Sequence, residues 1–241
     1  MNKLNALIMM AGKGERFSKE AKSIPKPLIK VKDKYMIEAA IESLNIDANY
    51  IFVIKKYKEE NYNKELMNIL LNYTKINNII ITDVYTEGPA KSAMLAEALI
   101  DNDEPIIITN CDQILEWDSK KFIDFISSTN AEGVVVTYKT NTPKNSYISL
   151  DENGEGLRVA EKEVISNHSL NGVHFYKRGS FFVDAAKKMF DKKEKVNNEY
   201  YISLTYNELI KDGMKILNYE ISPHEHWAIG TPEDLQRYLS R

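Results

Sequence analysis

An α/β fold, with a mostly parallel central sheet and helices on both faces, is what the sequence predicts, and three observations carry that prediction. Short β-branched runs alternate with helical patterns through the first half, glycine- or carboxylate-bearing turns follow those runs, and the second half holds several strand patterns with little helix between them. The 241 residues, 43% hydrophobic and 28% charged, suffice for one large core.

Strands of the first half are expected at Ala6 to Met10, Tyr50 to Ile54, Ile79 to Thr82 and Pro105 to Thr109. Helices are expected between them at Met36 to Leu44, Glu59 to Leu71 and Pro89 to Ile100, the last with proline at a tolerated first-turn position. Right-handed βαβ crossovers then build a parallel sheet whose crevice lies beyond the strands' carboxyl ends. Strand patterns at Gly133 to Tyr138, Tyr147 to Leu150, Leu157 to Glu161 and Asn171 to Tyr176 predict a mixed or antiparallel continuation, with a turn at Asp151 to Gly154. Helices at Ser180 to Phe190 and Tyr200 to Lys211, a strand near Lys215 to Tyr219 and a helix from Pro232 to Leu239 follow. Thr231 before Pro232, with Asp234 in the first turn, is a well-formed helix start. The polar run Asp191 to Asn198 reads as a solvated loop.

Composition excludes several functions. A net charge of -3, from 32 basic and 35 acidic residues, leaves no electrostatic footprint for a nucleic-acid backbone or an anionic membrane, so neither is expected as a partner. The one cysteine, Cys111, excludes an internal disulfide, suits a reducing compartment and reads as buried packing. The apolar run Leu4 to Ala11 is too short for a membrane span and is followed by charges rather than a cleavage-like region, which predicts a cytoplasmic protein. Tyrosine and phenylalanine are plentiful, but their positions mark no single oligomer interface.

The densest chemistry is in Leu7-Ile8-Met9-Met10-Ala11-Gly12-Lys13-Gly14-Glu15-Arg16-Phe17, followed by Lys26-Pro27-Leu28. Gly12 and Gly14 let backbone N–H groups approach an anion, Arg16 can fork onto phosphate oxygens, and Lys13 and Lys26 add point charges. Read alone, the turn is equally a plain strand-to-helix turn: Phe17 breaks the dinucleotide GxGxxG, and no Gly-Lys-Ser/Thr loop occurs. Arg16 and the Lys26-Pro27 pair tip it towards a nucleoside triphosphate site. Asp112, after the run ending at Thr109, either holds Mg²⁺ or caps the next segment. Glu161-Lys162 reads as a solvated face, or as a hydroxyl acceptor beside a phosphate-neutralising cation, and Gly172 after Asn171 permits close ligand approach.

The ordered blocks LIMMAGKGERF, PKPLIKV, a mid-chain Asp after a strand, Glu-Lys, Asn-Gly-Val and Gly-Thr-Pro-Glu-Asp-Leu resemble those of the sugar-phosphate nucleotidyltransferases, the nucleoside-diphosphate-sugar pyrophosphorylases. The likeness runs from Leu7 to Leu235 and is nearest to the short members associated with bacterial capsule and lipopolysaccharide synthesis. It implies one Rossmann-like nucleotide-diphospho-sugar transferase domain over residues 1–241, with a nucleotide-binding half to 130 and an acceptor-binding half from 131. It also implies that Ala11, Gly12, Lys13, Gly14 and Arg16 meet the triphosphate, that Lys26 stabilises charge at the α-phosphate, and that Asp112 binds Mg²⁺. The loop Glu87 to Ala93 would lie by the nucleobase, with Gly88 the best single contact, although no clear signature for one base is present. Glu161, Lys162, Asn171 and Gly172 would form the acceptor site for a sugar phosphate.

One departure stands out. Many relatives carry a second metal-binding Asp two residues before the Gly-Thr, where this chain has Ala228. Either Asp112 serves alone with phosphates and water, or Glu225 or His226 substitutes; for His226, packing beside Trp227 or a backbone hydrogen bond is the favoured reading over ligation. His168, His174 and His224 show no zinc-like spacing. Two other functions share parts of this pattern: a cytidylyltransferase acting on a non-sugar phospho- or phosphono-acceptor, and a catalytically silent nucleotide-sugar binding module.

Overall fold

Successive residues of the first strand, β1 (Asn5–Met10), enter two different cores: Ala6, Ile8 and Met10 one, Leu7 and Met9 the other. That period of two, in a strand buried along its whole length, is the signature of a central strand covered on both faces. The structure, a computed structural model, describes residues 3–12, 17 and 24–241 of the chain.

After β1 a 3-10 turn at Lys26–Leu28 leads into a short hairpin of β2 (Lys30–Val31) and β3 (Lys34–Tyr35). Then come α1 (Met36–Leu44), β4 (Asn49–Lys55), α2 (Glu60–Leu70), β5 (Ile79–Thr82), α3 (Pro89–Ala93), α4 (Glu97–Ile100) and β6 (Ile106–Asn110). The second half contains β7 (Gln113–Leu115), α5 (Ser119–Ser128), β8 (Gly133–Lys139), β9 (Ser146–Leu150), β10 (Gly156–Glu161) and β11 (His168–Tyr176). It continues with α6 (Gly179–Asp191), α7 (Ile202–Lys211), β12 (Ile216–Glu220), β13 (His226–Ala228) and α8 (Pro232–Leu239).

β1, β4, β5 and β6 pair in parallel, as their alternation with helices requires, and β11, β8, β9 and β10 extend the sheet with antiparallel pairing. β12 returns parallel to β8. On one face lie α3, α4, α6 and α7 through Ala90, Ile100, Phe182, Met189, Tyr206 and Leu209; on the other lie α1, α2 and α5 through Ile37, Leu44, Leu66 and Phe122. A third, smaller cluster joins Phe17, Val31, Met36, Ile114, Ile229, Leu235 and Tyr238. This is the doubly covered α/β sheet expected.

β11 is where the sheet divides. Its whole length runs along β8, but Leu170 pairs with Thr137 and His174 with Val135, so Asn171, Gly172 and Val173 face Val136 alone. The other edge of β11 is shared: Ser169 pairs with β9, whereas His174 to Tyr176 pair with β6. The bulge therefore opens the ladder at Asn171-Gly172, between the end of β6 and the β9–β10 hairpin.

Three departures from the sequence expectation have physical causes. The single helix expected over Pro89 to Ile100 is broken by a 3-10 turn at Met94–Ala96, where buried Ala90, Ala93 and Ala96 recur every third residue and suit the tighter repeat. The helix expected from Tyr200 begins at Ile202, because the Tyr200 backbone is taken up by hydrogen bonds with Glu87 and Ala90 and Tyr201 is extended at the N-cap. The two-stranded pairings β2–β3 and β7–β13 were not foreseen; their two- and three-residue strands carry too little pattern to read. No helix among the described residues is long and apolar enough to cross a membrane.

His174 sits inside this frame, 7% exposed, its ring 5.8 Å from that of Tyr206 and its Nδ1 without a partner. Burial holds its imidazole down to about 3. Below about pH 6.5 the unfolded chain takes up a proton that the folded chain refuses, so stability falls as pH drops from there towards 3. The slope approaches roughly 1.4 kcal/mol per pH unit for this one group. Urea midpoints between pH 7 and pH 5 are therefore expected to fall less in His174→Phe than in the parent; equal falls would contradict the assignment.

Candidate active site

β1 and β6 are neighbours, with Met9 opposite Asn110, so their carboxyl ends open side by side into one crevice. From β1 the chain passes through buried Ala11 to Gly12, where a Cβ would meet nothing within 4 Å. Lys13, Gly14 and Arg16 lie outside the described residues; Phe17, just beyond them, is 4% exposed and anchored in the third cluster.

The centre of the crevice is an ion pair. Lys26, first residue of a 3-10 turn flanked by Pro25 and Pro27, donates from Nζ to Asp112 Oδ2 at 2.5 Å, with both side chains about a quarter exposed at 21% and 27%. Asp112 stands in the turn from β6 to β7, where its carbonyl accepts from Ile229 N at 2.9 Å. Gly230 closes over the pair: a Cβ there would lie 2.7 Å from Asp112 Oδ2 and 3.5 Å from Lys26 Nζ. The β7–β13 ladder, with Ala228 opposite Gln113, brings Gly230 to this position. Three segments distant in sequence thus converge on one carboxylate.

Asp112 offers a hard oxygen donor, and Oδ1 has no hydrogen-bond partner among the described residues. One carboxylate of this kind fits the usual Mg²⁺ set completed by phosphate and water. No group of three or more His, Cys, Asp and Glu able to hold a metal gathers among the described residues. Ala228 is exposed and supplies no ligand. His226 has its ring 4.7 Å from that of Tyr138, and burial lowers its imidazole to about 4 against the opposing pull of Asp112. Cys111 is buried, which pushes its thiol up to about 12 and makes it a packing residue.

Along the opened edge of β11, a Cβ at Gly172 (φ +94°) would lie 3.4 Å from Asn110 Nδ2 and 3.7 Å from Gln113 Oε1, so this glycine borders the β6 end directly. Asn171 turns its Oδ1 back to Val173 N at 2.9 Å; its Nδ2 is buried with no partner. A buried donor without a partner is costly, so this amide is a strained feature of the opened stretch of β11. Glu161, at the end of β10 and only 9% exposed, accepts from Ser203 Oγ at 2.9 Å and from Ser146 Oγ. Burial raises its carboxyl, and the two hydroxyls and Lys162 oppose that rise. Lys162 has φ +58° and donates to Tyr201 Oη at 2.6 Å, which in turn donates to Glu199.

Gly88 has a reason of its own. At φ +107° it lies against the Tyr200 backbone, where a Cβ would come within 2.6 Å of the Tyr200 nitrogen. Tyr200 N donates to Glu87 O at 2.7 Å, and its carbonyl accepts from Ala90 N at 3.0 Å. The glycine expected at the nucleobase therefore also docks the segment before α7. Asn110, Ser146, Tyr201, Ser203 and Gly230 were not singled out from sequence. Only Gly230 lay in a recognisable block; single serines and tyrosines carry no pattern until the strands are paired.

A carboxylate and lysine at the carboxyl ends of parallel strands, in a doubly covered sheet carried on by an antiparallel extension, are the frame of a nucleotide-diphospho-sugar transferase fold with its crevice. The chain matches the nucleotidyl transferase family model over residues 5–238 and belongs to that family. It is similar to the bifunctional protein GlmU of Methanocaldococcus jannaschii, 24% identical over 94% of this chain and 52% of that one. It is also similar to the mannose-1-phosphate guanylyltransferase catalytic subunit beta of Drosophila melanogaster, 29% identical over 73% of this chain and 48% of that one. The chain spans about half the length of these curated relatives. A nucleoside-diphosphate-sugar pyrophosphorylase from Vibrio cholerae RC9 shares the fold, with a TM-score of 0.83 at 20% identity, covering 98% of this chain and all of that one.

Gly88→Ala is expected to cost about 1–3 kcal/mol through its backbone dihedral alone. Displacing Tyr200 should also speed amide exchange at Tyr200 and Ala90 well before global unfolding; unchanged protection there would show that the loop does not need the glycine.

Proposed function

We propose that the protein transfers a nucleoside monophosphate from a nucleoside triphosphate to a sugar phosphate, releasing pyrophosphate and forming an activated nucleotide sugar. The observation that carries this reading is the Lys26–Asp112 pair under Gly230, at the strand ends where β1 leads into Gly12 and where Gly172 of β11 borders Asn110. The relatives named as acting on sugar 1-phosphates support the acceptor class.

In this reaction an acceptor phosphate oxygen attacks the α-phosphorus in line, and the bond to the β-phosphate bridging oxygen breaks. A phosphate monoester with a second pKa near 6 is already largely ionised at pH 7, so no strong general base is needed. Catalysis is positioning plus neutralisation of charge. Lys26 meets the charge on the transferred group, Arg16 holds the departing β- and γ-phosphates, and backbone N–H groups around Ala11 and Gly12 approach the same oxygens. Asp112 would hold Mg²⁺, which supplies charge neutralisation to the phosphates when bound. Lys162, released from Tyr201, neutralises the acceptor phosphate, while Glu161 and the Asn171 amide address its hydroxyls. Cytoplasmic location and a product destined for surface polysaccharide belong to the same proposal; the single buried cysteine is compatible with that compartment.

The test is a pyrophosphate-release screen crossing several triphosphates with a panel of sugar 1-phosphates and with phosphocholine-like acceptors. Release with at least one sugar phosphate is expected, abolished by chelator and restored by Mg²⁺. Release with non-sugar acceptors alone would overturn the acceptor class, and binding of nucleotide sugar without release under any pairing would leave a silent binding module. Asp112→Asn, Lys26→Ala and Arg16→Ala should each lower kcat by roughly 10²-fold or more if each group supplies a few kcal/mol in the transition state. Near-parental turnover in any of them removes that residue from the mechanism.

A further inference from the structure

Glu161 is held by an arrangement more particular than burial requires. Ser146 from β9 and Ser203 from α7 both donate to the same oxygen, Oε2. Oε1 has no partner among the described residues, yet it is not among the sealed unpartnered atoms, so it keeps access to solvent. Ala160 and Ser169 both pair with Tyr147 of the intervening strand, which puts the end of β10 level with the opened stretch of β11. The buried, unpartnered Nδ2 of Asn171 belongs to that stretch. One hydrogen-bond acceptor and one donor are thus left unmatched at the same level of the sheet.

We infer that Ser146 and Ser203 are positioning residues for the acceptor subsite: by occupying Oε2 together they fix the Glu161 carboxyl in place and reserve Oε1 for a hydroxyl of a polyhydroxylated phosphate ester. This rests on the acceptor reading above and names the groups that set its selectivity. A carboxylate this buried is pushed towards its neutral form, and hydrogen bonds donated to the charged form oppose that push. The groups acting on it are Ser146, Ser203, Lys162 and, in the unfavourable sense, Glu199. Without a serine, Glu161 takes up a proton more readily, and an oxygen meant to accept from a hydroxyl becomes a donor.

The placement of Ser203 gives the inference a selective readout. The stretch from Glu199 to Ser203 touches both halves of the site, with the Tyr200 backbone on the Glu87–Ala90 loop, Tyr201 on Lys162 and Ser203 on Glu161. Ser203→Ala removes the Glu161 contact while leaving the two backbone hydrogen bonds of Tyr200 in place. A merely structural serine would loosen both subsites together; a positioning serine affects the acceptor alone.

Two measurements test this on the full chain. Carbon-13 NMR titration of the Glu161 carboxyl, assigned against Glu161→Gln, needs no turnover; in Ser203→Ala and in Ser146→Ala its midpoint should rise. In steady-state kinetics with the best pair from the screen, Ser203→Ala should raise the acceptor KM by about tenfold, the scale of one hydrogen bond to a charged group, while the nucleotide KM stays unchanged. Ser203→Thr should restore both readouts. An unshifted titration in the serine variants, an unaltered acceptor KM, or a parallel rise in both KM values overturns the inference. A shifted titration in a protein that transfers to no acceptor refutes the proposed function instead.

Discussion

The site depends on one strand having to serve two neighbours. β11 pairs with β8 along one edge on both sides of a bulge, while on the other edge it pairs with β9 at Ser169 and with β6 from His174 onward. The change of partner from β9 to β6 falls in the same stretch, Leu170 to Val173, as the bulge that shifts the register against β8, so neither edge of β11 is regularly paired there. This break leaves a wedge with the β6 terminus and Asp112 on one side and the β9–β10 hairpin with Glu161 on the other. Gly172 within the bulge borders the β6 side directly, beside Asn110 and Gln113. The unmatched Asn171 amide follows from the same break, since a bulge removes residues from regular pairing while the surrounding core keeps them buried.

The second dependency is on how Lys26 and Asp112 are brought together. Neither belongs to a long element, and their contact is a partly exposed ion pair, a kind that contributes little to stability. What holds the geometry is the third hydrophobic cluster, in which Phe17, Val31, Met36, Ile114, Ile229 and Leu235 tie the segments flanking the lysine, the carboxylate and Gly230 to one another. The apolar contacts supply the cohesion and the ion pair supplies the chemistry. Such a division suits a site where anions must come and go, because a charge pair buried more deeply would resist ligand entry.

Ala228 acquires a physical context from the β7–β13 ladder. At its register the opposite residue is Gln113, whose side chain is buried and donates to Thr109 Oγ1 at 2.9 Å. The position that could have carried a second carboxylate is instead an exposed small residue, and Asp112 has no acidic companion at that register.

Nearly all the long elements were legible in the sequence, because their information is local: β1 is a short apolar run, β4, β6 and β8 are dense β-branched runs, and α1 and α8 carry clear periodicity and start signals. Lys26 and Asp112 were nameable from sequence as charged residues near strand ends, while the site reading of the Glu161-Lys162 pair came from the family resemblance and not from local pattern. Ser146, Ser203, Tyr201 and Gly230 were not legible, nor was the packing of Gly88 on the Tyr200 backbone, since these contacts span tens of residues that no local pattern encodes. Sequence by itself determined the layers, the strand ends at which chemistry gathers and the ionisable groups available there, because periodicity and turn chemistry act over a few residues. Only tertiary structure decided which of those groups meet, where the sheet opens and which polar atoms remain unmatched, because these depend on strand pairing and close packing between distant segments.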